Sequence, residues 1–449
     1  MHEGCGGLDS SMAFDASRPR HNRCGNPDVN RVTATTAKTT VGRSRRAAAL
    51  AFANAVVSRF MIIALTFLGA RYMPADQFGI FALIMSSASS VATLSAVGVG
   101  VVNNSTASRH YEDDPALVSA VFTGMLAICL LLSLVFALVF MPPVAAIESG
   151  FSNLSLFGIL YLVSALMTVS SAAEGLAYGV RRTGTMLVVS LIVLAIAPAA
   201  SAWFMIVGGL TGAIAALLLF RALQSGLLFS ALMMTTKVRA TPIRAWYDRA
   251  RISHVFLGTG LPLAGAAVLA APVTTLAMFL LQEQAGPEQV GAFALAYQVF
   301  LVLVFPPGAM GHFLLSQLAA KDVNPSAFLR RVLSYLAGYG LLGWAIMAGA
   351  TFVMPLLTPN VSIDFTLMAT FGATVLFYAV SIGFNNYWSS IGRARMVFYG
   401  QILWALPIVV VTLFGATQFG ALALAAGFLI GSMGQLLMHT TIFSMQAAR

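Results

Sequence analysis

Charge is scarce in this chain. Of its 449 residues only 9% are Asp, Glu, Lys or Arg, 15 acidic against 25 basic. A soluble domain carries about a quarter charged residues, so this composition cannot cover a water-exposed surface of that size. Cysteine is scarcer still. Cys5, Cys24 and Cys129 form no C-x-x-C and have no histidine at ligand spacing, which excludes a disulfide framework and a zinc site. Gly-x-x-x-x-Gly-Lys, His-x-x-x-His and Gly-x-Ser-x-Gly are all missing, so ATP-driven work, metal-assisted chemistry and serine hydrolysis have no motif to rest on, and no cofactor is implied.

Apolar residues fill the space that charge leaves. They make up 59% of the chain, and the mean hydropathy is +0.86. Crossing about 30 Å of hydrocarbon takes roughly 20 residues of helix, and twelve runs meet that length: 47–69, 79–103, 116–141, 153–177, 184–206, 209–235, 254–281, 290–315, 329–356, 364–390, 396–415 and 418–443. Only Gly208-Gly209 separates the fifth from the sixth. The predicted fold is therefore all-α, a polytopic membrane protein with twelve transmembrane helices.

Orientation follows from the basic residues. With the N-terminus inside, the inner segments hold twenty-two of the 25, from Arg18 through Arg46 in the tail, Arg109, Arg181, Arg182, the central run Lys237 to Arg251, and on to Arg449. The outer loops hold Arg71 alone, beside Asp76, Glu148, Glu283, Glu288 and Asp364. This positive-inside bias predicts two cytoplasmic termini. The net charge of +10 is thus a topology signal and implies no nucleic acid.

The chain also repeats itself. Residues 67–83 align without gaps on 279–295, matching Phe67/Phe279, Leu68/Leu280, Gln77/Gln289, Gly79/Gly291, Phe81/Phe293, Ala82/Ala294 and Leu83/Leu295. The offset of 212 also lays Arg181 on Arg393 and Glu174 on Asn386. An even number of spans per half predicts a parallel repeat about an axis along the membrane normal. The organisation reads as a disordered tail (1–46), a first six-helix lobe (47–235), a basic linker (236–253) and a second lobe (254–443).

The first outer loop, Ala70-Arg71-Tyr72-Met73-Pro74-Ala75-Asp76-Gln77-Phe78-Gly79, resembles the AR-x-L-G-P-x-x-F/Y-G signature of bacterial polysaccharide-export flippases of the Wzx type, with Met73-Pro74 in place of Gly-Pro. Gly98-Val99-Gly100 and Ser108-Arg109-His110 are similar to the same family's second span end and first inner loop. The superfamily also holds multidrug exporters and the lipid II flippase. The resemblance implies a V-shaped two-lobe fold whose inner set is spans one, two, seven and eight. It further implies a polyprenyl-diphosphate-linked glycan as substrate, the lipid bilayer as medium, and a polysaccharide polymerase with chain-length machinery as partners.

Two arginines lie deep in apolar runs: Arg59 in the first span and Arg221 in the sixth. Each costs several kcal/mol facing lipid, so water, a carboxylate or substrate is the expected neighbour, with carbonyl bonding or snorkelling the plain alternative. Guanidinium binds phosphate bidentately and stays charged, which suits a diphosphate. Gln298, two turns inside the eighth span, joins them as a substrate-binding candidate. Glu174 is expected to pair with Arg181 at a helix end or to serve coupling, and Pro272 to bend the seventh span for gating. The reading is a flippase for a lipid-linked oligosaccharide; a cation-coupled exporter of drugs or metabolites is the alternative. A ligase-like membrane enzyme is disfavoured because the outer loops are so short. Cysteine labelling should find 236–253 and 316–328 cytoplasmic and 142–152 and 357–363 external. External labelling of the central segment would overturn both span count and orientation.

Overall fold

A computed structural model describes residues 27–96, 98–147, 150–248, 269, 271–309, 325–390 and 393–447. The chain divides into two units, Met1–Ala48 and Ala49–Arg449. Of the first, residues 27–48 are helical backbone. The part of the expected disordered tail from Pro27 on is thus helix, entered at a proline whose missing N–H has no partner to lose there.

Among the described residues every regular element is a helix. In order they are α1 (Pro27–Tyr72), α2 (Ala75–Ala96), α3 (Val99–His110), α4 (Pro115–Ile147), α5 (Asn153–Gly179), α6 (Thr183–Thr235) and α7 (Ile243–Asp248). The second half adds α8 (Ala271–Ala285), α9 (Pro287–Ala309), α10 (Pro325–Leu357), α11 (Phe365–Ser390), α12 (Ala394–Phe419) and α13 (Ala421–Ala447). Ten of these carry stretches long and apolar enough to cross a membrane. One of the ten, α6, is 53 residues long and breaks at Gly209 (φ 51, ψ −128), which makes two spans of it at the place where the sequence offered only Gly208-Gly209. Most of the expected seventh span, 254–268, lies outside the described residues.

Gly420 turns the chain between α12 and α13 with nearly the same backbone as Gly209, φ 53 and ψ −133. No L side chain adopts these angles without strain, so glycine is required at both turns. Each turn is met by a glutamine from the repeated motif. Gln289 Oε1 accepts the Ala421 N–H at 2.9 Å, and Gln77 Oε1 stands over Gly209 where a Cβ would approach to 3.0 Å. The repeat is therefore a tertiary device: the start of the second helix in each half caps the last turn of the same half.

The halves meet through the same motif. A Cβ on Gly79 would land on the Pro287 carbonyl, and one on Gly291 would come within 3.2 Å of the Ala75 carbonyl. These contacts are mates under the repeat, so α2 and α9 cross at the pseudo-twofold axis with bare backbone between them. On the same side of the membrane Arg71 Nη1 donates to the Leu356 and Leu357 carbonyls at 3.4 Å. Asn360 Nδ2 returns donations to the Arg71 and Met73 carbonyls at 2.8 and 3.2 Å. Thr275 Oγ1 bonds Ser86 Oγ at 2.7 Å and Ser90 Oγ at 2.6 Å, tying α8 to α2.

Pro306 and Pro307 lie within α9, which runs on to Ala309. Pro272 is the second residue of α8, in a first turn that has no N–H bond to lose; any bend it gives the preceding chain falls outside the described residues.

Gly79→Ala should therefore cost more than Gly291→Ala, because a Cβ on Gly79 would overlap the Pro287 carbonyl, whereas one on Gly291 stops 3.1 Å from the Phe78 ring and 3.2 Å from the Ala75 carbonyl. A loss of about 1–3 kcal/mol or more is expected for overpacking of this kind, read as a lower melting temperature in detergent and lower membrane abundance. Equal, wild-type behaviour of both variants would show that the crossing is not close.

Candidate functional site

A cavity of about 270 Å³ opens among α1, α5, α6 and α9. Its walls are Asn54, Ala55, Ser58, Arg59 and Ile62 of α1; Met167, Ser170, Ser171, Glu174 and Tyr178 of α5; Arg221 and Gln224 of α6; and Phe305 of α9. Helical spacing explains the grouping. Ser170, Glu174 and Tyr178 stand four residues apart and share one stripe, as do Asn54, Ser58 and Ile62. The opposite face of α5 is pressed onto α3, where a Cβ on Gly175 would meet the Gly100 backbone, so the stripe is held toward the cavity.

Both deep arginines reach this space. Arg221 is only 8% exposed; its Nη1 donates to Gln224 Oε1 at 3.3 Å, its guanidinium lies 4.9 Å from the Phe220 ring centroid, and its Nε has no partner among the described residues. Arg59 lies 6.0 Å from the centroid of Phe305, which itself packs 6.2 Å from Phe52. Glu174 accepts from Ser170 Oγ at 3.2 Å and is within coulombic range of Arg221, which in turn feels Arg59. Ser190 Oγ donates to Asn54 Oδ1 at 2.8 Å, fixing one corner of the wall.

The structure thus brings Arg59, Arg221 and Glu174 together and leaves the other candidates apart. Glu174 does not pair with Arg181: that residue is exposed in a left-handed conformation, φ 59, beyond the end of α5. Gln298 is buried but is not part of the cavity wall, and Pro272 lies on α8, away from it. Gln224, Tyr178, Ser170 and Asn54 were not singled out from the sequence, although each sits three to five residues from a deep charge on its own helix.

The second half carries no such charges at the corresponding positions. Arg182 and Arg393 are equivalent N-caps, with φ, ψ of −95, 36 and −99, 47, and each N–H bonds the carbonyl five residues back, Ala177 and Trp388. Gly209 and Gly420 agree. The offset is therefore 211 beyond the inner turn, one less than in the outer motif, and Arg181 is not the mate of Arg393. On this register Glu174 corresponds to Asn385, Arg221 to Ser432 and Gln224 to Gln435, all neutral.

No family model matches the chain, and no curated relative is found. Solved structures do match. An inward-facing multidrug resistance MATE family transporter of the MOP superfamily superposes with a TM-score of 0.71 at 15% identity, over 88% of this chain and 94% of the other. The lipid II flippase MurJ, in an inward closed conformation, gives 0.64 at 13% identity over 90% and 86%. A MOP superfamily transporter from Pyrococcus furiosus, described by the reversed polarity of its binding pocket, gives 0.57 at 14% over 90% and 95%. The chain has this fold, two six-helix lobes related by a parallel repeat, and at such identities the likeness reaches no further than the fold.

Removing Arg221 should leave Glu174 short of a counter-charge at membrane depth. Arg221→Met is expected to lower thermal stability, and adding Glu174→Gln should recover part of the loss, a coupling of about 1–3 kcal/mol. Strict additivity in this double-mutant cycle would show that the two groups do not share the cavity's field.

Proposed function

We propose that the protein is a flippase that carries a polyprenyl-diphosphate-linked oligosaccharide from the inner to the outer leaflet of a bacterial cytoplasmic membrane, for polysaccharide biosynthesis. The observation that carries this reading is the pair Arg59 and Arg221 in one cavity. Two guanidinium groups at membrane depth are costly unless a permanent anion repays them, and a diphosphate is such an anion with the geometry their forks bind. The cavity lies on the halves of α1 and α5 nearer the basic loops, the side from which a substrate made in the cytoplasm would enter. The likeness in fold to a lipid II flippase agrees with a lipid-linked substrate.

An exporter of organic cations fits the same fold less well. With two arginines and one glutamate among its lining residues, the cavity carries a net positive charge that repels a cationic drug. Deleting the gene should accumulate lipid-linked repeat units in the inner leaflet. An unchanged glycolipid pool with altered drug sensitivity would favour the exporter.

Arg59→Ala should abolish polymer export while the protein remains in the membrane, because removing a costly charge need not harm folding. Lysine should rescue in part, having the charge without the bidentate fork. Full export by Arg59→Gln would sink the proposed role, since glutamine supplies no charge to balance a diphosphate.

A further inference from the structure

We infer that the cavity takes up its diphosphate ligand together with one proton, and that Glu174 is the group that receives it. This rests on the reading of Arg59 and Arg221 as the phosphate-binding pair. With Glu174 ionised in the empty cavity, it is the counter-anion of the two arginines whose walls it shares, and the three side chains sum to one positive charge. A diphosphate diester brings two negative charges into the same space. If Glu174 stayed ionised, carboxylate and phosphate would repel each other and compete for one guanidinium, leaving the site net negative in a medium of low dielectric. Once Glu174 is protonated, two guanidinium groups face two phosphate charges and the site is neutral. The proton comes from the buffer acid of the surrounding solution, whose O–H or N–H bond breaks to leave the buffer base. The bond formed is O–H on the carboxyl, which can then donate to a phosphoryl oxygen or to Ser170 Oγ, now 3.2 Å away.

Among the described residues of the lining no other group stands ready to take this proton. Around Glu174, α1 contributes Arg59, α6 contributes Arg221, α5 itself contributes the Tyr178 phenol, and α9 contributes the uncharged Phe305. The helices packed on the remaining faces of α5, namely α2, α3 and α4, put no ionisable side chain into the lining. At the corresponding place in the second half Asn385, Ser432 and Gln435 offer no carboxyl. The unpartnered Nε of Arg221 is a donor left over for the ligand. The sign of the effect separates this arrangement from an exchange in which proton and substrate exclude one another: here they bind together, and affinity rises as pH falls.

The test uses the full-length protein in detergent and a synthetic P1-glucosyl P2-farnesyl diphosphate, a diester whose own charge does not change between about pH 5.5 and about pH 8. Calorimetric titration in buffers of different ionisation enthalpy should find about one proton taken up per ligand bound, with affinity falling up to about tenfold per pH unit where the free carboxyl is ionised. Glu174→Gln should bind the diester with no proton uptake and a flat pH profile, and Glu174→Asp should retain the uptake. Tight binding by the wild type with no proton taken up, or with one released, would overturn the inference and leave the phosphate reading intact. Uptake that persists in Glu174→Gln would assign the proton elsewhere and overturn it too. Failure of the diester to bind at any pH would instead overturn the phosphate reading beneath it.

Discussion

Hydrocarbon offers nothing to a charge, and most of this structure can be understood from where the chain puts the few charges it keeps below the surface. Arg59, Glu174 and Arg221 come from three helices that are distant in sequence, yet all three face one small cavity. Each would cost several kcal/mol facing lipid. Gathered together they supply each other's counter-charge, and the neighbouring Ser170 and Gln224 take up part of their hydrogen-bonding capacity. The excess of one positive charge remains. That excess is what the proposed anionic ligand would balance.

Around the charges the scaffold is built from glycine and repetition. Gly79 and Gly291 let α2 and α9 cross backbone to backbone, and Gly209 and Gly420 make two turns that only glycine can make, each met by a glutamine of the repeated motif. The Gly79–Gly291 crossing, with Arg71 and Asn360, ties the halves together beside the short acidic loops, and Thr275 ties α8 to α2 farther along both helices. The charged cavity lies toward the other side. Solved transporters with this fold, in both inward-facing and outward-facing conformations, are among its structural neighbours.

Much of this was legible in the sequence. Apolar runs gave the spans because hydropathy is additive along a helix and does not depend on what the helix touches; even the cut at Gly208-Gly209 appeared where the backbone breaks. The repeat was visible because its residues do local work at turns and crossings. Its register drifted out of sight, since the second half is one residue shorter between Gly291 and Arg393 and a gapless offset cannot show that. Glu174 was drawn toward Arg181 by proximity in the chain, but α5 ends at Gly179 and the chain turns away through a left-handed residue. Arg221 lies in a span outside the inner set that the resemblance implies, yet the structure brings it to the cavity. Which helices surround a given charge is a matter of tertiary packing, and one sequence does not record it.

The central claim is that this positively charged cavity moves a diphosphate-linked lipid across the bilayer. The most direct measurement is translocation in sealed proteoliposomes holding the purified protein, using a fluorescent polyprenyl-diphosphate-linked oligosaccharide and a membrane-impermeant quencher of the outer leaflet. The account predicts label exchange between leaflets that requires the protein and is lost when Arg59 and Arg221 are both replaced by methionine. Exchange at the protein-free rate, in vesicles where the same protein transports an organic cation, would contradict it.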